Sequence, residues 1–436
     1  MLHTRKISLL LLHFLAVITA FAQSDSTSLR EDAPKVFLDC NYYCDRDFIR
    51  QNINYVNFVR DRALADVYIL QTGIGTGGGG DKFELFYYGQ ERFANMNDTS
   101  QFFTEADDTE GEIRDMLLAK LKIGLLPYVL KTTLANKVTF SVGDSETDGN
   151  KDATNVKDPW NFWTFSTRMS GFFNGESLYN NSSINGNFRA SRVTEKNKIA
   201  ISFGLNYNES NFFDTDDEGK KYLYYRGINR SQFSNANYIH SLTDHWSAGV
   251  FGGVSSATFN NLKLARYINA GIEYNIFPYA EATRRQLTFR YTIGPNINRY
   301  VDSTVFDKIQ EVLLRHDLGI GYSQVQKWGS VSLNGGVGNY LHDFKLNSFY
   351  INPNVSWNAF KGFNLEFGGY GSLINDQISL SKVDLDPGEF FTRIRQFGTN
   401  YSYFGYLSMN YTFGSIYNNV VNPRMSGDGG SFSFNF

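Results

Sequence analysis

Side chains on a β-strand alternate between its two faces, and residues 199–207 keep that period throughout. Ile199, Ile201, Phe203, Leu205 and Tyr207 fall on one face, and Ala200, Ser202, Gly204 and Asn206 on the other. One face is oily and the other small and polar. The same pattern recurs about a dozen times between Trp160 and the C-terminus, with aromatics near the segment ends. Strands of this kind suit a sheet closed on itself, with lipid outside and water or polar side chains inside. The pattern therefore predicts a transmembrane β-barrel.

Composition agrees with that expectation. The 436 residues are more than one ordinary domain needs and suit a barrel plus a smaller domain. Hydrophobic content is only 42%, but aromatics reach 16%, with 27 Tyr and 38 Phe. Barrels have this profile, because half of each strand meets lipid and aromatic girdles mark both interfaces. A net charge of −3 argues against a nucleic-acid partner.

The periodic segments lie near 160–173, 182–194, 197–209, 229–242, 245–258, 262–277, 285–299, 311–325, 328–340, 346–358, 362–376 and 400–414. They predict about twelve antiparallel strands over 160–414. Connections at 194–198, 242–245, 326–327 and 360–362 are tight, whereas 209–227 and 379–399 are long. Short periplasmic turns and longer outer loops are the usual asymmetry.

The N-terminus has the form of a secretory signal peptide over residues 1–22. Arg5 and Lys6 form the positive region, residues 7–20 the apolar core, and Ala20 and Ala22 the small-x-small cleavage site. An exported barrel implies the bacterial outer membrane, with lipid and lipopolysaccharide as its surroundings. Residues 35–142 have a different rhythm. Short apolar runs at 36–38, 67–70, 83–87 and 138–142 predict strands. Phe48, Ile49, Ile53, Val56 and Val59 recur at helical spacing behind Asp45 or Asp47 as a cap. Thr109 and Glu112 form a capping box before the stripe Ile113, Leu117, Leu121, Gly124 and Tyr128. The order βαββαβ predicts a small two-layer α/β domain on the periplasmic side. That element order resembles periplasmic α/β domains of envelope assembly proteins, such as the TolB N-terminal domain and the CsgG-type curli secretion protein. The resemblance implies docking of a periplasmic protein partner.

Within this domain, Cys40 and Cys44 are the only cysteines, so a disulfide is permitted in an oxidising periplasm if the turn between them brings them within reach. The alternative is two small buried thiols. The glycine run 73–80 lacks the Lys-Ser/Thr of a phosphate loop, since Asp81 and Lys82 open a strand, and reads as a hairpin loop. Residues 143–159 read as a polar linker. Asp144, Glu146 and Asp148, and again Asp214, Asp216 and Glu218, only partly imitate a calcium loop. No cofactor or metal is expected.

At the other end, residues 415–436 read as a tail ending in Phe432, Phe434 and Phe436, which resembles the signal recognised by barrel assembly machinery. The segment from Tyr411 to Arg424, with Arg393, Arg395, Gln396 and the run from Tyr401 to Phe404, resembles the closing strand of an uncharacterised family of two-part outer-membrane barrel proteins. That resemblance implies location rather than activity.

Alternation assigns Arg168, Arg189, Lys263, Glu273, Arg290, Arg315, Asp317 and Glu366 to the barrel interior. Charge on the lipid side costs roughly 2–4 kcal/mol for Arg or Lys at the midplane, which enforces the phase. The bland reading is a set of ion pairs filling a narrow lumen; the functional one is a polar solute pathway. A barrel enzyme needs a base beside a nucleophile or activated water. His240 and His245 flank a short turn, His342 lies by an outer loop, and His316 is in phase with Leu314 and Leu318. None pairs with a Ser at lipase-like spacing, and Asp384, Asp386 and Glu389 have no evident partner. The sequence therefore points to a non-enzymatic transport, assembly or scaffolding component. A small diffusion channel is the first alternative and a lipase- or protease-class barrel enzyme the second. Aromatics in the loop 209–228 suit the lipopolysaccharide boundary.

Overall fold

The computed structural model describes residues 32–40, 44–77, 79–139, 160–383, 396–415 and 417. The signal peptide, the linker with Asp144, Glu146 and Asp148, the loop acids Asp384, Asp386 and Glu389, Arg393, Arg395 and the terminal phenylalanines lie outside them.

The α/β domain has β1 (Lys35–Cys40), α1 (Arg46–Asn52), β2 (Asn57–Phe58), β3 (Val67–Gly75), β4 (Asp81–Gly89), β5 (Asn97–Phe103) and α2 (Glu110–Val129). The sheet runs β2-β1-β3-β4-β5, parallel from β2 to β3 and antiparallel from β3 to β5. Alternation along β4 divides its faces. Phe83, Leu85 and Tyr87 are buried in the core with Ile49 of α1 and Leu117, Leu121 and Tyr128 of α2. Thr109 caps α2 and Glu112 completes the expected box. Gly124 is required there, because a Cβ would come within 2.1 Å of the Tyr87 ring.

The expected βαββαβ order needs three corrections. α1 ends at Asn52, so Ile53, Val56 and Val59 are buried without being helical. Their burial comes from the chain turning into β2, which pairs with β1. The polar segment 97–103 is a strand, held by backbone pairing to β4; its sequence carries almost no apolar alternation. Val138 and Thr139, where a closing strand was expected, are not in a strand, and 140–142 lie outside the described residues.

The second region is one antiparallel sheet of twelve strands, each paired with its sequence neighbour. They are β6 (Trp163–Gly175), β7 (Tyr179–Val193), β8 (Asn197–Thr215), β9 (Lys221–Ser241), β10 (Trp246–Ala257), β11 (Leu262–Asn275), β12 (Arg285–Tyr300), β13 (Gln310–Gln326), β14 (Gly329–Tyr340), β15 (Asp343–Phe360), β16 (Phe363–Ile374) and β17 (Tyr401–Tyr411). Among the described residues β6 and β17 are not hydrogen-bonded to each other, so the sheet is open at that seam.

The register carries the sequence alternation across the whole sheet. On one face Phe188 opposes Phe203, Tyr238 opposes Val250, and Ile272 opposes Tyr291. The row continues through Leu318, Val337, Phe349 and Leu373 to Tyr401. This face is exposed: Met169 is 77% and Leu407 71% accessible. The other face carries Ser, Asn and Gly with Arg168, Arg189, Glu273, Arg290, Arg315, Asp317 and Glu366, whereas Arg192, Arg230, Arg266 and Arg299 fall in phase with the apolar residues.

The expected long loop at 209–227 is instead a continuation of β8 and β9, which pair up to Thr215 and Lys221. Aromatic cross-strand contacts extend the hairpin: Phe212 lies 5.0 Å from Tyr179 and 6.3 Å from Tyr225. At its tip Asp216 accepts hydrogen bonds from the backbone N–H groups of Glu218 and Lys220, so this acid closes its own turn.

Candidate functional site

Seven of the charged residues assigned to the inner face share one face of the twelve-stranded sheet. Arg168 opposes Asn187, Arg189 opposes Ser202, Glu273 opposes Arg290, Asp317 opposes Gly338, Arg315 opposes Tyr340 and Glu366 opposes Ser408. Lys263 falls at a register shift between Leu262 and Leu264, so it sits at a bulge rather than in the paired row. The charges form two groups, not one continuous network. Arg290 binds Glu273 at 2.8 Å, and Glu273 also accepts from the Tyr279 hydroxyl. Arg315 binds Asp317 at 3.0 Å and Asp376 at 2.7 Å, and donates to the Ser348 hydroxyl. Among the described residues Arg168, Arg189 and Glu366 make no ion pair. A cavity of about 660 Å3 on this face is bordered by Arg189, Lys198, Glu273 and Arg290.

Asp376 belongs to the connection between β16 and β17, and it marks a closure that sequence reasoning missed. Residues 375–383 fold back over the polar face. Ile378 is buried against Leu313 and Tyr340 on that face, with Leu346 beside them. Ser381 bridges to Thr304, the Val305 amide donates to the Leu380 carbonyl, and the Asn261 amide nitrogen donates to the Ser379 carbonyl. A long connection in a compact molecule is commonly functional, and that length was the available signal.

The opposite end, where the tight turns lie, is met by the α/β domain. The even positions of β4 and Tyr68 of β3 face it. Lys327, in the β13–β14 turn, sits 4.2 Å over the Tyr88 ring and 5.6 Å over Tyr68; burial lowers its pKa from the ordinary lysine value. Arg284 lies over Phe86, and the Thr283 hydroxyl donates to Glu84. Arg62 donates to the carbonyls of Lys327 and Asn358, and Lys361 pairs with Asp61 at 3.8 Å. At the start of the sheet, Thr164 and Ser191 hydroxyls both donate to the Gly77 carbonyl. Val59 bridges to Tyr417 after β17. These contacts span the rim from β6 to the end of β17.

The glycine run thus does more than turn a hairpin. A Cβ on Gly77 would lie 2.1 Å from the Val193 side chain, so only glycine allows this approach. The signal for the docked face was in the sequence as well. Val67, Tyr68, Ile69 and Leu70 of β3 are all buried, and a run apolar on both faces requires cover on both. Behind Tyr68, its hydroxyl donates to Asp39 at 2.7 Å. Burial raises the Asp39 pKa, opposed by that hydrogen bond and by Arg46 and Arg62.

Cys40 and Cys44 form a disulfide, with Cα atoms 6.0 Å apart, between the end of β1 and the start of α1. The histidines are dispersed. His240 contacts the Asn197 side chain, His245 the Asn275 carbonyl and His316 the Tyr291 hydroxyl on the apolar face; His342 lies 6.0 Å from the Tyr340 ring. No family model matches this chain, and no curated protein resembles it significantly.

Proposed function

We propose that this chain is a non-enzymatic outer-membrane protein whose twelve-stranded sheet closes into a barrel through β6 and β17, with the α/β domain on the periplasmic side. β6 and β17 run in opposite directions and have 13 and 11 residues, so they suit antiparallel pairing. The exposed apolar face supports lipid contact, and in hydrocarbon an open sheet edge does not persist, which supports closure. All five Trp, at 160, 163, 246, 328 and 357, fall at the tight-turn end, consistent with an interfacial belt.

The observation that carries the functional reading is closure at both ends. The α/β domain spans the tight-turn rim, and residues 375–383 cover the polar face at the other. A closed barrel with a docked domain fits an envelope assembly or scaffolding component better than free diffusion. The periplasmic domain then binds a protein partner, and lipopolysaccharide surrounds the β8–β9 hairpin. The polar cavity beside Arg189 and Arg290 favours one second reading, a small diffusion channel. The discriminating experiment is conductance of the mature full-length chain in a planar bilayer. Silence is expected. Stable conductance from the intact chain overturns the scaffold reading in favour of the channel.

A further inference from the structure

α1 places Arg46 and Arg50 one turn apart on a seven-residue helix, where like charges repel. Both line a cleft of about 450 Å3 between the α/β domain and the β15–β16 turn, together with Arg60, Arg62, Lys361 and Asp61. Five cations border this cleft beside a single carboxylate, Asp61, which pairs with Lys361 at 3.8 Å. Two further acids offset part of the charge: Asp47 binds Arg50 at 2.8 Å, and Asp39 interacts electrostatically with Arg46. The balance still leaves positive charge in excess. Burial lowers the Arg50 pKa, and Arg46 and Arg60 act in the same direction against Asp47.

The far wall of the cleft sets Phe360 and Phe363 among Asn358, Asn364, Asn410 and Thr412, with Tyr411 just outside it. Phe360 and Phe363 stack with centroids 4.6 Å apart, and Tyr411 lies 6.1 Å from Phe360. Phe363 and Tyr411 oppose each other at the edge of the exposed apolar face. Arg and Lys thus stand at the boundary between a polar domain and an apolar face. Guanidinium groups bind phosphate oxygens with charge-assisted hydrogen bonds, and basic groups at a membrane surface attract anionic lipid by about 1 kcal/mol each.

We propose that this cleft binds the phosphate of an anionic phospholipid headgroup, with the acyl chains lying along the apolar face beside Phe360 and Tyr411. The proposal rests on the outer-membrane reading. In that setting the lipid bridges the α/β domain to the barrel rim, and Arg46, Arg50 and Lys361 are its headgroup contacts.

The test uses the full mature chain in detergent, titrated calorimetrically with dihexanoyl phosphatidylglycerol, dihexanoyl phosphatidylcholine and inorganic phosphate. Phosphatidylglycerol is expected to bind about tenfold tighter than phosphatidylcholine. The double substitution Arg46→Gln/Arg50→Gln and, independently, Lys361→Gln on the other wall are expected to remove that preference. Arg168→Gln, on the polar face of β6, is expected to leave it intact. Equal binding of the two lipids, or a preference that survives both cleft variants, overturns the proposal. Inorganic phosphate binding as tightly as phosphatidylglycerol overturns the lipid source and assigns the cleft to free phosphate. A chain that stays monodisperse without detergent sinks the membrane reading itself. A chain that needs detergent but does not discriminate between the lipids sinks this inference alone.

Discussion

The α/β domain and the twelve-stranded sheet use the same aromatic and aliphatic residues in opposite senses. In the first, Tyr87, Tyr128, Phe83, Leu85 and Leu121 are almost wholly buried around one core. In the second, Met169, Phe173, Tyr403 and Leu407 are more than two-thirds exposed, and the ion pairs of Arg290 with Glu273 and of Arg315 with Asp317 lie on the opposite face. A strand's two-residue period has no preference between these outcomes. What differs is what covers the apolar side: two helices in one case, and on our reading lipid in the other. The contrast teaches that apolar alternation reports an interface and leaves the identity of the second phase open.

The largest expected effect separates the two regions directly. Leu121→Ala empties part of a packed core and is expected to destabilise the α/β domain by about 3 kcal/mol. Leu407→Ala, on the exposed face, is expected to cost far less in a lipid bilayer. Urea unfolding of both variants makes the comparison, and equal losses would mean that the exposed face packs on protein. Next comes Leu318→Arg, halfway along β13. In a bilayer it is expected to cost roughly 2–4 kcal/mol, whereas Ser202→Arg on the polar face is tolerated. If neither substitution matters, lipid is not the missing phase.

The junction gives a third way to break the contrast. Gly77→Val forces a side chain into Val193, and overpacking of this kind costs roughly 1–3 kcal/mol. Protease access to the domain boundary is expected to rise while both regions stay folded; unchanged protection would show that the Gly77 contact does not hold the domain. Smaller still, Thr109→Ala removes the cap of α2 and is expected to lower the α/β domain's stability by about 1 kcal/mol. Thermal unfolding should show that domain's transition shift alone.

The smallest effect is a pH dependence confined to the α/β domain. Burial raises the Asp39 pKa, so the folded state holds its proton more tightly than the unfolded chain. Folding is therefore favoured as pH falls through the window just above the ordinary carboxylate value, and ionised Asp39 opposes folding at neutral pH. Asp39→Asn keeps an acceptor for the Tyr68 hydroxyl and is expected to flatten this part of the stability–pH curve. A slope that persists in the variant assigns it to another group.

Much of the strand layout was legible because alternation is a local property. All twelve expected segments overlap strands, and His316 falls on the apolar face as its phase with Leu314 and Leu318 required. The capping box at Thr109 was legible for the same reason. Periodicity overextends α1, since buried Val56 and Val59 mimic helical spacing when a turn brings them to the same core. β5 was missed because pairing to β4, not its own side chains, makes 97–103 a strand. The acids and lysines of 209–227 break the local alternation, although its aromatics pair across β8 and β9.

The sequence by itself determined which side chains share a face, which residues cap α2, and that Arg168, Arg189, Glu273, Arg290, Arg315, Asp317 and Glu366 lie opposite the oily face. Those follow from backbone periods that act over a few residues. Only the tertiary structure decided that Arg315 meets Asp376, that Ile378 seals against Leu313 and Tyr340, and that Gly77, Arg62 and Lys327 fasten the α/β domain to the rim. Each of these contacts joins residues dozens to hundreds of positions apart, and no local pattern encodes the geometry that brings them together.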